Sequence, residues 1–203
     1  STTQECQLAA FRMAATGQPM LLVAHANAGA AKASCPRNFV GYWARTVAFD
    51  LQLTKLWDQN TCDAGHYAWP LDENQDGLAE AVFVGKYLLR HDGTRQCRLT
   101  AWPASDHVDS MAIAELDTTR PGLEAVAVGY TGTAMFSAAT CAPIWRLPTA
   151  LVRNPQHLAL ARLDPTQELP SIVVDEKGVM RDWKTTVITA QGQLVSRNEN
   201  DVM

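Results

Sequence analysis

This chain has little that suits a helix, a bilayer or a nucleic acid. Its 203 residues carry 17 basic and 21 acidic side chains for a net charge of −4, with no cluster of Lys or Arg. Nucleic-acid affinity comes mainly from phosphate neutralisation, so nucleic acid is not an expected partner. No apolar run approaches the roughly 20 residues that span a bilayer; the longest, Met20 to Ala24, is the size of a strand. No membrane span is expected. Apolar residues at 47% and charged residues at 19% exclude disorder, collagen and coiled coil, and suit a chain that buries its own core. No GxSxG, phosphate-binding loop or dinucleotide fingerprint occurs, which leaves acyl transfer, nucleotide hydrolysis and dinucleotide binding without support.

The five cysteines, Cys6, Cys35, Cys62, Cys97 and Cys141, are widely spaced with no CxxC, against zinc-ribbon and thioredoxin-like sites. Up to two disulfides in an oxidising compartment, secreted or periplasmic, is the favoured reading; five buried thiols is the other. The opening Ser1-Thr2-Thr3-Gln4 fits a removed leader, an excised piece or a cloning boundary equally.

What the sequence does have is repetition. EAVFVG begins at Glu80 and EAVAVG at Glu124, a spacing of 44 residues. Each follows a Leu-Asp turn, Leu71-Asp72 and Leu116-Asp117, and a third copy runs from Leu163-Asp164 to Val174. Trp57, Trp102 and Trp145 follow in step, 45 and 43 residues apart. Helical periodicity is weak: Cys6 to Ala15 is Ala-rich without a 3.6-residue repeat, and Asn27 to Ala33 looks like a loop of small residues.

Short apolar or alternating runs bounded by Gly, Pro and Asp predict four strands per repeat. Stacked radially, such sheets make a β-propeller. The expected fold is therefore all-β: a single propeller-like domain over 1–203 of four-stranded antiparallel blades, with repeats near 39–85, 86–129, 130–175 and a partial 176–203. At roughly 45 residues a blade the chain holds about four to five, a partial propeller or one completed by oligomerisation. One Trp per repeat is expected between blades rather than as a sugar platform.

Three features carry possible chemistry. Asp72, Asn74, Asp76 and Glu80, with Gly77 at the sharp turn, form DxNxDGxxE, whose alternate oxygen ligands suit a hard cation such as calcium. The twelfth position, which is Glu in an EF-hand, is Phe83, so a short structural calcium loop between strands is expected, with a metal-free Asx turn as its alternative. The corresponding loops have changed: Arg120 stands at a ligand position, and the loop from Asp164 lacks the glycine, so calcium is not expected in either.

His66, His107 and His157 recur at equivalent places in their copies, near the start of inner strands that face a propeller axis. Three imidazoles are thus expected to converge, although any one alone reads more readily as an ordinary core or surface strand histidine. Asp109, two residues after His107, is expected on the same side of its strand, where it fixes a tautomer or binds a cation. Tyr42 and Arg45, in the run Gly41 to Thr46, suit recognition of a sugar carboxylate, because guanidinium binds carboxylate in bidentate fashion. A strand with a surface Arg is the plain alternative.

Together these stretches resemble the β-propeller polysaccharide lyases, the rhamnogalacturonan and ulvan lyases. The resemblance rests on GYWARTV from Gly41, Lys55-Leu56-Trp57, Gly65-His66 leading into the acidic loop, and Phe83-Val84-Gly85. It continues through HDGT from His91, HVDS from His107, LDTTRPGLE from Leu116, NPQH ending at His157, and RLDP from Arg162. It implies a propeller of seven or eight blades, calcium in the acidic loops, a site on the axis, and cleavage of an acidic polysaccharide by β-elimination. Mapped here, Arg45 neutralises the uronate, His66 or His107 is the base, Tyr42 or Tyr67 is the acid, and Asp109 and His157 contact substrate. Asn154 stands where relatives often carry His. With the degenerate loops, this favours the competing reading of a non-catalytic module that binds a glycan or a protein, or a structural subunit of a larger secreted assembly.

Overall fold

The computed structural model describes residues 6–26, 35, 44–63, 65–104, 106–177 and 183–199. Tyr42 and the segment Asn27 to Ala33 lie outside them. Among the described residues there are sixteen strands and no helix. They form four sheets, each a four-stranded antiparallel meander whose neighbours in sequence are neighbours in space. The chain divides into two compact units, Ser1–Val108 and Asp109–Met203.

In the first unit, β1 (Cys6–Arg12), β2 (Pro19–Ala26), β3 (Ala44–Phe49) and β4 (Lys55–Thr61) make one sheet. A second is made by β5 (Ala68–Leu71), β6 (Ala81–Val84), β7 (Tyr87–Arg90) and β8 (Arg95–Arg98). Neither sheet can bury a face alone. They join through a shared core in which Met13, Met20, Leu22, Ala48 and Trp57 meet Ala79, Val82, Val84, Tyr87 and Leu89. Each large apolar side chain removed from water there contributes about 1.5–3 kcal/mol. The Ala-rich opening stretch is strand β1, and past its end it bonds to the second sheet: Ala79 N donates to Arg12 O at 2.7 Å, and Ala14 N to Ala79 O at 2.8 Å.

The second unit repeats the plan. Its sheets are β9 (Ser110–Ala114), β10 (Glu124–Gly129), β11 (Gly132–Ser137) and β12 (Pro143–Pro148), then β13 (Pro155–Ala161), β14 (Ser171–Lys177), β15 (Trp183–Ile188) and β16 (Leu194–Glu199). Leu116, Val126, Val128 and Met135 pack on Val152, Ile172, Val174, Ile188 and Ala190.

The repeated EAVxVG segments contain second strands, β6 and β10, buried along their whole length. A strand covered on both faces reads as a continuous apolar run rather than an alternation, which is why these strands carry the visible repeat. A period has no starting point of its own. The sheets span 6–61, 68–98, 110–148 and 155–199, whereas the sequence repeat boundaries fall at the β6–β7 and β10–β11 turns and within β14.

The joint between sheets recurs in both units. The Trp57 indole donates to His91 O at 2.7 Å and lies against Gly93 in the β7–β8 turn, and the Trp145 indole donates to Ala190 O at 2.9 Å and lies against Gly192 in the β15–β16 turn. Trp102 does not share the pattern: it is buried but lies past β8, in no strand. Gly93 has φ +81°, and a Cβ there would sit 2.6 Å from the Trp57 ring. Gly93→Ala is therefore expected to destabilise the protein by about 1–3 kcal/mol, read as a fall in the urea midpoint at unchanged slope.

Candidate functional site

The first unit gathers its titratable groups where two loops meet, one after β4 and one after β8. His66 follows the first loop and His107 ends the second. Their ring centroids are 5.2 Å apart with planes at 69°, an edge-to-face pair. His107 keeps 24% of its side chain exposed, so this is not a sealed core histidine. One imidazole of such a pair can accept a proton while the other donates.

Beneath the pair are residues that the sequence motifs did not reveal. Asp63 is fully buried, and its Oδ1 accepts the Gly65 N–H at 2.7 Å, immediately before His66. Burial pushes the Asp63 carboxyl up to about 6, against the opposing pull of Lys86, the Gly65 amide, His107 and the Val108 amide. Lys86, 1% exposed, spans from the β6–β7 turn to the second loop and donates to the carbonyls of Pro103 at 3.2 Å, Ala104 at 3.3 Å and Asp106 at 2.5 Å. Its burial lowers the amine's pKa, and the Asp63 charge works the other way. The Asp106 carboxylate accepts the His107 N–H at 2.9 Å. Thus Asp63 holds the turn into His66, while Lys86 and Asp106 hold the segment that carries His107. A signal for Lys86 existed in the repeat, since it is a cation after an apolar strand where the next copy has Tyr130.

Asp63 also sets a pH dependence. Its folded pKa, about 6, lies above the ordinary 3.8, so between those values the native state holds a proton that the unfolded chain has lost. The stability it contributes is complete below about pH 4 and is lost as pH rises through 6. The stability of the protein minus that of Asp63→Asn is expected to fall by about 3 kcal/mol across this window and then level off. Urea titrations from pH 4 to 8 measure it, and a difference that rises instead contradicts the assignment.

The other expected site residues lie as follows. Tyr67 is exposed beside His66 and packs edge-on to Trp69 at 6.0 Å. Arg45, on β3, is half exposed and donates to Asp58 on β4 at 2.9 Å; Lys55 donates to the same oxygen at 2.8 Å. Lys55 first and Arg45 second hold the Asp58 carboxyl below its ordinary range. The Arg45 guanidinium already binds one carboxylate, on the surface.

In the second unit Asp109 is buried. Its N–H donates to Val128 O at 2.8 Å, and its Oδ2 accepts the Gln156 amide at 3.2 Å. His157 is not that partner. A register shift between Pro155 and His157 puts Gln156 toward Asp109, and His157 is exposed, stacked on Trp183 at 6.2 Å. Side chains alternate along a strand, so one extra residue exchanges which neighbour faces inward.

The acidic loop between β5 and β6 is well formed. Asp72 accepts from the amides of Asp76 at 3.1 Å and Gly77 at 2.8 Å, Asn74 from Asp76 at 3.0 Å, and Asp76 from Leu78 at 2.8 Å. Glu80 reaches back to the Glu73 amide at 2.7 Å. Oxygens of Asp72, Asp76 and Glu80 lie within 4.8 Å of one another, and no basic side chain bonds to them among the described residues. The loop before β10 differs. Arg120 donates to Asp117 at 2.8 Å, so a guanidinium supplies the positive charge there. An all-oxygen, uncompensated set of three carboxylates fits a hard cation, and the Arg-bearing loop does not need one.

Cys97 and Cys141 are disulfide-bonded. Among the described residues no helix is long and apolar enough to cross a membrane.

No family model matches the chain, and no curated protein matches it. Solved structures do. The exotype rhamnogalacturonan lyase YesX superposes with TM-score 0.64 at 21% identity over 88% of this chain and 29% of its own. A rhamnogalacturonan lyase of Bacillus licheniformis gives 0.63 at 21% over 89% and 29%. The rhamnogalacturonan lyase YesW gives 0.63 at 18% over 95% and 30%. This chain therefore spans about three-tenths of the length of the lyases it resembles, and over that span it has their all-β fold.

Proposed function

We propose that this chain is part of a polysaccharide lyase that cleaves a rhamnose- and uronic-acid-containing polymer by β-elimination. The observation that carries the reading is the His66–His107 pair, set on buried anchors in a fold that resembles rhamnogalacturonan lyases. In such a reaction one imidazole takes the proton from the carbon beside the uronate carboxylate. The glycosidic C–O bond then breaks as a C=C bond forms, and an acid protonates the leaving oxygen. His107, supported by Asp106, or His66 serves as base, and Tyr67, exposed beside His66, as acid. Arg45 neutralises the uronate by exchanging Asp58 for it. An exposed, solvent-screened pair of this kind contributes little, so the exchange costs little. Asp109 and His157 would be substrate contacts of the second unit, and Tyr42 would be an alternative acid.

The test is incubation with rhamnogalacturonan and with ulvan in calcium, following absorbance of the unsaturated uronate. A flat trace from folded protein removes the lyase reading. The second reading, a non-catalytic module binding a glycan or protein, is favoured by the altered acidic loops and predicts retained binding without turnover. The bonded cysteines support an extracellular or periplasmic setting, since disulfides persist in oxidising compartments. A homo-oligomer or a larger assembly is a further proposal, which the particle mass in solution tests.

Asp72, Asn74, Asp76 and Glu80 would hold one structural calcium, which relieves the repulsion among the carboxylates. At a hundredfold excess over its dissociation constant a bound ion stabilises by about 2.7 kcal/mol. Chelation should therefore lower Tm by about 5–10 °C in the natural chain and leave Asp76→Ala unmoved. Equal shifts in both proteins contradict the site.

A further inference from the structure

We propose that Cys35 and Cys62 form a second disulfide, an oxidisable bond that ties the β2–β3 connection to the end of β4 beside the histidine site. Cys35 Sγ lies 3.9 Å from Thr61 O, the carbonyl just before Cys62, so the two cysteines are neighbours, and the Cys62 side chain acts directly on the Cys35 thiol. A disulfide needs Cβ atoms about 3.5–4.5 Å apart, so bonding requires the two neighbouring side chains to close on each other. Cys62 is buried and Cys35 partly exposed, so a reagent has access through Cys35.

Around them, Arg95 lies over the Tyr87 ring at 4.7 Å and donates to Asn60 O at 2.6 Å. Burial first, then the neighbouring Cys62 side chain, push the Cys35 thiol up to about 12, while Arg95 and Lys86 pull it down. Reaction requires a thiolate, so spontaneous oxidation at neutral pH is slow and the pair is held reduced until an oxidant acts. The oxidant is a disulfide: glutathione disulfide in the test tube, a dithiol–disulfide oxidoreductase in an oxidising compartment. One thiolate attacks its S–S bond and forms a mixed disulfide, and the second thiol, losing its proton, displaces the remaining half. Two electrons pass to the reagent, which leaves as two thiols.

The bond closes a loop from residue 35 to residue 62 within the first unit. Its Cys62 end leads directly into Asp63, Gly65 and His66, so closure restrains the strand end on which the histidine turn is built. Loop closure of this size removes enough freedom from the unfolded chain to raise Tm by about 10 °C.

The experiment equilibrates the natural chain in glutathione buffers from fully reduced to oxidised, blocks remaining thiols with an alkylating reagent, and maps peptides by mass spectrometry without reduction. The expected result is a linked Cys35–Cys62 peptide two hydrogens lighter than the sum of its parts, with the rise in Tm. Cys35→Ser should leave Cys62 open to alkylation and show the same Tm in both buffers. Full alkylation of both thiols in buffers that keep Cys97 and Cys141 bonded overturns the proposal, as does linkage of either thiol to Cys6. Neither result bears on the lyase reading, which the uronate assay tests separately.

Discussion

His107→Ala is expected to slow formation of unsaturated uronate by at least 100-fold and to leave thermal stability nearly unchanged. A positioned general base contributes roughly 10²–10⁴ in rate. The ring is partly exposed, and the main chain is still held by the Asp106 carboxylate and by the Lys86 bond to Asp106 O. His66→Ala, which removes the edge-on neighbour at 5.2 Å, is expected to cost less if it only orients His107 and as much if it is itself the base. Partial rescue of His107→Ala by added imidazole, with a pH profile that follows the added base, marks proton transfer rather than a structural defect. Unchanged turnover in His107→Ala removes it from the reaction.

The largest stability effect is expected at Arg197. Its guanidinium donates to Glu176 at 2.6 Å and 2.8 Å through one nitrogen and at 3.2 Å through another, and to Leu151 O at 2.8 Å. Glu176 is 2% exposed and also accepts from the Arg153 amide at 2.6 Å and from the Thr186 hydroxyl. Truncating Arg197 to methionine leaves a buried carboxylate without countercharge, which costs about 3–5 kcal/mol. Glu176→Gln combined with Arg197→Met removes both charges, and much of the loss should return. Urea unfolding of the single and double variants measures both losses. A double variant no better than the single assigns the loss to packing of the guanidinium stem instead.

The residues that announced themselves in the sequence were those whose environment repeats. The EAVxVG segments stand out because the two second strands that carry them, β6 and β10, are buried on both faces. The DxNxDGxxE loop stands out because an Asx-rich turn is local: most of its hydrogen bonds join residues within five positions. Trp57 and Trp145 were legible as joint residues, whereas Trp102 matched their spacing without sharing their place. Asp63 and Lys86 carry no motif. They are 23 residues apart, and each is tolerable only because the fold brings charge and carbonyls to the other's burial site.

The amino-acid sequence by itself determined an all-β chain of short meanders, because apolar runs of strand length punctuated by Gly, Pro and Asp cannot bury their faces as anything longer. It also determined which loop could take a hard cation, since that chemistry lies within nine consecutive residues. Only the tertiary structure decided that Gln156 rather than His157 faces Asp109, and that Arg45 is already bound to Asp58. Each depends on the register of neighbouring strands, where a shift of one residue reverses the face a side chain presents and no local pattern records the shift.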